Sequence, residues 1–469
     1  MTGMRDRRAR QHDNQTLPVD NFAHGSARHR ILAVVLRKAA WITGPAGASA
    51  PMTSLGGDVM YPMLKPALRR AWRGRNTVQF GVTPAHAVAL GPVDIATGSF
   101  LELLDGTRGL PLLHEEARAL DLSEHHVQVL LDRLTEAGLL DDPRAAGPEA
   151  DVLRRRAEVM DRQRPDVASL SVVRPEPGGG LRRMAARREM RVQVRGAGRV
   201  GASIASVLSG AGVGRVEVLD GGRAELWDVA PGGLPPAAVG ERRDVAAGRL
   251  VRRSAPGPGP RSRAGGAGPP GDLPGPGRHV SRVAPEMVMS GAGADRTGSA
   301  GEPALSLIVV APRDGLAVYA PPVDTAAPWI ASGTPHLYAG VIEATGVVGP
   351  LVLPGGTGCA GCLELRRADR DPQWPRMLAQ WRSGRRGAVP ACDLALATAV
   401  AGLAAAHALA FLDGDLPATT GSRWEAALPL LDWRSEPIGP HVDCSCGAAG
   451  AAERDRASAR AQPQDTMAG

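Results

Sequence analysis

"VQVRGAGRVGASIASVLSGAGVGRVEVLD", residues 192–220, is the stretch whose reading decides the fold. A short apolar run at 192–195 reads as a strand and breaks at Gly196, Gly198 and Gly201. The helical "ASIASVLSGAG" follows, and "RVEVLD" then reads as a second strand ending on Asp220. The glycines match G-x-G-x-x-G, and an acidic residue about 20 positions on completes a dinucleotide-type βαβ unit. Such glycines let backbone N–H groups close on phosphates at the helix N-terminus, while Asp220 accepts hydrogen bonds from ribose hydroxyls. The same glycines also suit a tight strand-to-helix crossing that holds no nucleotide.

Around this unit the chain has 469 residues, room for two or three domains, with 59 glycines and 40 prolines that set part of it apart from any packed core. The net charge of +7 raises the question of nucleic acid. Residues 1–59 carry eight basic residues against four acidic, and residues 249–302 again eight against four, so two low-order segments hold more than the whole excess. That distribution argues against a nucleic-acid partner. Of 55 basic residues only Lys38 and Lys65 are lysines. Five cysteines are too few for a disulfide scaffold, and four fall in close pairs, which fits a cytoplasmic protein. The apolar run at 394–412 is long enough to span a bilayer, but it is Ala-rich and carries His407, so it reads as a core helix and no membrane is expected.

Residues 1–59 read as a disordered leader, with Met60 a candidate for the true start of translation. From 60 to 142, "TVQFGV" and "AVAL" read as a hairpin and three helical periods follow, the last with Ser123 as N-cap and Gly138 near its end. This is the outline of a small winged-helix-like module. Three uses stay open for it: packing or dimerisation, pairing of the hairpin's free edge with an extended peptide, and DNA binding. No helix there has a dense arginine face. Residues 143–190 read as a linker, made of the charged amphipathic stretch "ADVLRRRAEVMDRQR", whose arginines suit a solvated helix face, and the turn cluster "PEPGGG"; residues 252–302 read as a Gly/Pro/Arg insertion without a core.

"GAGRVGASIASVLSGAGVGRVEVLD" resembles the ATP-binding opening of the ThiF/MoeB/ubiquitin-activating superfamily. "GVVGPLVLPGGTGCAGCLEL" and "HVDCSCG" resemble that family's later strand and its two zinc pairs. The match spans 191–447, and the preceding module makes the whole similar to actinobacterial ThiF-like proteins found with ribosomally made, modified peptides. The resemblance implies an α/β fold: a Rossmann-like, ThiF-type nucleotide-binding domain with a mostly parallel sheet, plus the small front module and a disordered tail from 448 to 469. It also implies adenylation of a carboxylate on a peptide or small carrier protein, with ATP and Mg2+ as cofactors and a homodimer as the assembly. Gly196, Gly198, Gly201 and Asp220 match the family's nucleotide contacts.

The catalytic charges depart from the pattern. Asp228 stands where the family has asparagine, Pro231 where it has arginine, and Arg243 where it has lysine. Asp314 is the candidate for the family's magnesium-side aspartate, one residue out of step. Arg243 and Asp314 are therefore the candidate catalytic residues, and a silent leader-peptide-binding partner of a YcaO-type cyclodehydratase is the alternative. A winged-helix regulator that senses a nucleotide is a third.

Cys359, Cys362, Cys444 and Cys446 supply the four thiolates of a closed structural Zn2+ site, with His441 held as a substitute ligand because C-x-C departs from the commoner C-x-x-C. Zinc there would clamp the C-terminal segment to the loop after "LVLP". Cys392, just before the 394–412 helix, is either an acceptor thiol for the activated carboxylate or a buried structural residue.

Overall fold

A computed structural model describes residues 60–142, 144–257, 305–384 and 389–450. The leader 1–59, most of the 252–302 insertion and the tail beyond 450 lie outside the described residues.

The front module contains a three-stranded antiparallel sheet, β2 (Arg70–Gly74), β3 (Thr77–Phe80) and β4 (Val88–Leu90), in the order β2-β3-β4. Short strands β1 (Met63–Leu64) and β5 (Leu140–Asp141) tie its two ends together. Alternation in "TVQF" turns Val78 and Phe80 inward, against α1 (Ile95–Leu103), α2 (Leu110–Ala119) and α3 (Glu124–Glu136). In α3, Val127, Leu130, Leu131 and Leu134 recur at helical spacing and are all buried. Ser123 caps α3 by accepting from His126 N at 3.2 Å, and Gly138 follows it at φ +67°. The expected hairpin and three helices are present; β2 is an additional strand.

The stretch read as a linker is folded. It forms α4 (Pro148–Arg154), α5 (Ala157–Val173) and α6 (Gly179–Arg187) around Ala150, Leu153, Val159, Leu170 and Met184. The glycines of "PEPGGG" work here as packing residues: Gly178 takes φ +71°, and a Cβ on Gly180 would lie 2.8 Å from Ser171 N and 2.9 Å from the Val167 carbonyl oxygen. These helices bind the front and back of the chain to each other. Gly178 N donates to Asp141 Oδ1 at 2.7 Å, and the Arg187 guanidinium grips the Asp413 carboxylate at 2.8 and 2.6 Å with both side chains buried.

The back domain is a seven-stranded sheet in the order β12-β11-β10-β9-β8-β6-β7. Its strands are β6 (Arg191–Arg195), β7 (Arg215–Leu219), β8 (Leu305–Val310), β9 (His336–Ile342), β10 (Thr345–Val352), β11 (Ser422–Ala427) and β12 (Arg434–Pro437). β7, β6, β8 and β9 are parallel, while β10, β11 and β12 add antiparallel pairings, so five of the seven strands run one way. This agrees with the expected mostly parallel, Rossmann-like sheet. From β6 the chain crosses through α7 (Arg199–Gly210) to β7 on one side, and through α8 (Arg243–Ser254) to β8 on the other. The crevice at the carboxyl ends of β6 and β8 is therefore the topological switch point, where open α/β sheets bind ligands.

The remaining helices are α9 (Leu316–Tyr319), α10 (Val323–Ala331), α11 (Ala360–Arg370), α12 (Trp374–Ser383) and α13 (Leu394–Leu412). α13 is long and apolar enough to cross a membrane by length and composition. Here it lays Leu396, Val400, Ala404 and Ala408 into the same core as β6, α7 and β9, and leaves Thr398, Gly402 and Ala406 exposed.

Candidate functional site

The glycine turn runs from the end of β6 into α7. Gly196 takes φ +109°, and a Cβ there would lie 2.0 Å from the Ala311 carbonyl oxygen; on Gly201 it would lie 2.1 Å from the Gly196 carbonyl oxygen. Two of the three glycines are thus required by backbone packing alone. Gly198 differs: its nearest neighbour is Arg313 Cγ at 3.4 Å, and it borders a cleft of about 100 Å³. Around that cleft stand Arg199, Trp227, Asp228, Pro312, Arg313, Val341 and Cys392.

Asp220 closes the floor of the glycine turn, nearly buried and outside the lining of the cleft. Its Oδ2 accepts from Ala197 N at 2.8 Å, and its Oδ1 accepts from Gly222 N at 2.8 Å and pairs with Arg243 at 2.8 Å. Burial alone would raise its pKa, but the Arg243 hydrogen bond and the two N–H donors outweigh it and hold the carboxyl below its usual range. Arg243 is correspondingly fixed. Burial works against its charge, yet Asp220 first, and Asp228 with Glu225, raise its pKa. It also donates to the Arg223 carbonyl at 2.7 Å and reaches Asp228 at 3.6 Å. Arg243 is spent on these internal partners and does not line the cleft.

Asp314, the other candidate catalytic residue, also stays outside the lining; its Oδ1 accepts from Leu316 N at 3.0 Å at the start of α9. The neighbour, Arg313, faces the cleft instead. Its Nε lies 2.9 Å from Asp228 Oδ1, it pairs with Glu225, and its guanidinium carbon is 5.5 Å from the centre of the Trp227 ring. Arg199 donates to the carbonyls of Trp227 (2.6 Å) and Cys392 (2.7 Å), tying α7 to the segment before α13. Sequence reasoning passed over Arg199 and Arg313. Arg199 sits inside the glycine motif at a position the motif leaves free, and Arg313 is recognisable only once the end of β8 is placed beside Gly198. Pro231 is an exposed turn residue.

Cys392 lines the cleft, half-buried. Burial pushes its thiol up, with Arg199 pulling the other way. A thiol raised in this way is a poor nucleophile at neutral pH.

Some distance along the sheet, Cys359, Cys362, Cys444 and Cys446 converge, with all four sulfurs within 4.8 Å of one another. Cys359 lies 3.6 Å from Cys444 and 3.9 Å from Cys362, and Cys362 lies 3.6 Å from Cys446. A tetrahedron of Zn–S arms near 2.3 Å has edges of about 3.8 Å, so the donor set fits Zn2+. Cys359 caps α11 and the other pair follows β12, so an ion there clamps the C-terminal segment onto the end of the β10 loop. His441 is not a fourth ligand: its Nε2 meets Asp369 at 2.9 Å, its Nδ1 accepts from Asp443 N, and its backbone N donates to Cys362 Sγ at 3.3 Å.

Residues 176–258 match the model of the ThiF family. No curated protein matches the sequence. Among solved structures, E. coli MccB with AMPCPP and a selenomethionine form of MccA is similar at 15% identity and a TM-score of 0.56, covering 82% of this chain and 99% of that one. E. coli MccB with ATP gives 16% identity and a TM-score of 0.55 over the same shares. PaaA gives 15%, 0.53, 80% and 99%. At such identities the likeness is one of fold, and it takes in far more of the chain than the 176–258 segment. The resemblance to the ThiF/MoeB superfamily read from the glycine turn holds.

Proposed function

We propose that this ThiF-type chain recruits a peptide for modification, in the setting of ribosomally made peptides, and that its back domain serves as scaffold and binding surface rather than as an adenylating centre. MccB, a microcin C7 biosynthetic enzyme, has been solved in complex with N-formylated MccA, which supports a peptide as the partner of a chain with this fold. Among the described residues the front sheet has main-chain edges that pair with no further strand, where an extended segment can add. The observation that carries the silent reading is Arg313 at the end of β8. Where magnesium chemistry needs a carboxylate the cleft presents a guanidinium, and Asp228, the acid beside it, is held between Arg243 and Arg313. Modification then falls to a separate enzyme, and the resemblance implies a YcaO-type cyclodehydratase in the cytoplasm. A homodimer is the assembly that the resemblance implies.

Adenylation is the second reading, favoured by the cleft at the α7 N-terminus flanked by Arg199 and Arg313, both able to face phosphate oxygens. In that reading Gly198 borders the phosphates, Asp220 holds the ribose, and ATP supplies the activating group. The experiment is ATP–pyrophosphate exchange with the cognate peptide, beside calorimetry of ATP with and without magnesium and with Asp220→Ala. Recruitment predicts peptide binding without exchange. Peptide-dependent exchange lost in Asp220→Ala would establish adenylation instead.

A further inference from the structure

Arg199 is the first residue of α7, and its side chain crosses the mouth of the glycine turn instead of running along the helix. Nε donates to the Trp227 carbonyl at 2.6 Å and Nη1 to the Cys392 carbonyl at 2.7 Å. The two acceptors stand on different segments, Trp227 in the turn Leu226–Asp228 and Cys392 in the irregular strap 389–393 that leads into α13. Both segments line the cleft, so one guanidinium fastens them to each other. The cleft so closed holds about 100 Å³, far below the roughly 300–1,000 Å³ of pockets that enclose a drug-sized ligand. It has room for one small oxyanion and not for a nucleoside triphosphate.

The strap is lightly held. Val389, Pro390 and Ala391 are exposed and Cys392 is half-buried. Its main chain is tied through the Ala391 carbonyl, which accepts from Ala344 N at 3.0 Å on the turn between β9 and β10, and through the Arg199 bond to Cys392. A segment that buries so little apolar surface opens at small cost, so a single charge-assisted hydrogen bond weighs heavily in whether it lies down or lifts. The acceptors are also weak competitors. Both are neutral carbonyls on separate segments, whereas a phosphate-type group meets a guanidinium with charge and with two oxygens at once. Such a group is favoured at a helix N-terminus as well, which is where Arg199 stands.

We propose that Arg199 is a latch released by an oxyanion: it holds the strap 389–393 over the glycine turn until a phosphate-type group takes the guanidinium, and the strap then lifts and uncovers Cys392. The latch governs access to the cleft and not chemistry within it, so it goes beyond both the recruiting and the adenylating readings and depends on neither.

The test follows alkylation of Cys392 by iodoacetamide, read peptide by peptide, and hydrogen exchange at the Ala344 amide that the strap covers, on the full chain without magnesium. Pyrophosphate is compared with chloride at matched ionic strength. In the parent, pyrophosphate should speed both reactions about tenfold. In Arg199→Ala both should be fast from the start and indifferent to pyrophosphate, while alanine keeps the start of α7 helical. The sign is diagnostic. Burial pushes the Cys392 thiol up and Arg199 pulls it down, so losing the guanidinium without opening the strap would slow alkylation. Arg199→Lys, which keeps the charge and loses the two-pronged grip, should fall between the parent and Arg199→Ala and carries the test if the alanine variant folds poorly. Alkylation in Arg199→Ala no faster than in the parent overturns the latch, as does a parent that ignores pyrophosphate or an equal response in both proteins; each leaves the scaffold reading in place. Peptide-dependent ATP–pyrophosphate exchange would instead remove the scaffold reading and leave the latch standing.

Discussion

The floor of the glycine turn and the cysteine clamp belong to one sheet and were announced by equally short motifs, yet they came out differently. At the clamp, four side chains of one kind converge at 3.6–3.9 Å, and their sulfurs otherwise meet backbone N–H groups, that of His441 among them. At the floor, the glycines and Asp220 are where the motif puts them, but Arg243, Asp228 and Arg313 have closed a charge network over them. A motif of ligands states a chemistry; a motif of glycines states a backbone shape. What fills the shape depends on residues that arrive from α8 and from the end of β8, about 20 to 100 positions later, and no local spacing governs those.

The comparison is sharpened most by removing a thiolate. Cys362→Ser should take bound zinc from about one per chain to near none and free the segment after β12, because a structural zinc contributes folding energy directly. The expected fall in Tm is on the order of 10 °C, read by calorimetry beside metal analysis. Wild-type protein that purifies with far less than one zinc, and a variant that melts where it does, would break the clamp and make both regions equally ambiguous.

The floor is tested through its cation. Arg243→Met leaves Asp220 and Asp228 nearly buried and short of a partner, a change that costs about 3–5 kcal/mol in comparable buried pairs. Asp220→Asn with Arg243→Met should cost clearly less than the two single changes added together, since the double variant removes charge from both sides. Urea unfolding gives these values. Additive losses, or an Arg243→Met protein as stable as the parent, would mean that Arg243 is not structural and is available to a nucleotide.

What could be read beforehand follows the same division. The β6–α7–β7 unit, the α3 cap at Ser123 and the four cysteines are short-range features, each set within a few residues, and each is where expected. β2 escaped notice because "RAWRG" has no apolar alternation; it is a strand by pairing with β3 and buries nothing. The packing of the connector helices escaped, although "ADVLRRRAEVMDRQR" reads as a helix face, because glycine and arginine describe a flexible turn as readily as a packed one. Their structural role rests on Gly180 meeting the backbone of α5 and on Arg187 reaching Asp413, 226 positions away. Arg313 taking the place sought for Asp314 is the same kind of miss, by one residue, because the turn after β8 decides which of the two side chains points at Gly198.

The smallest expected effect concerns His336, at the start of β9. The ring is fully buried, edge-on to Trp329 and Tyr338, with Nδ1 donating to the Thr334 carbonyl at 3.1 Å and, among the described residues, no partner for Nε2. Burial lowers its pKa below the ordinary histidine value, against the smaller opposing pull of the Thr334 hydrogen bond. The unfolded chain therefore takes up the proton first as pH falls. The stability that the neutral ring contributes is complete above about pH 6.5 and is lost as pH drops toward the folded value. His407, also lowered by burial, adds a slope of the same sign, so His336→Phe should shrink the decline in urea midpoint between pH 7.5 and 5 without abolishing it. An unchanged slope would show that protonation at His336 is accommodated in the fold.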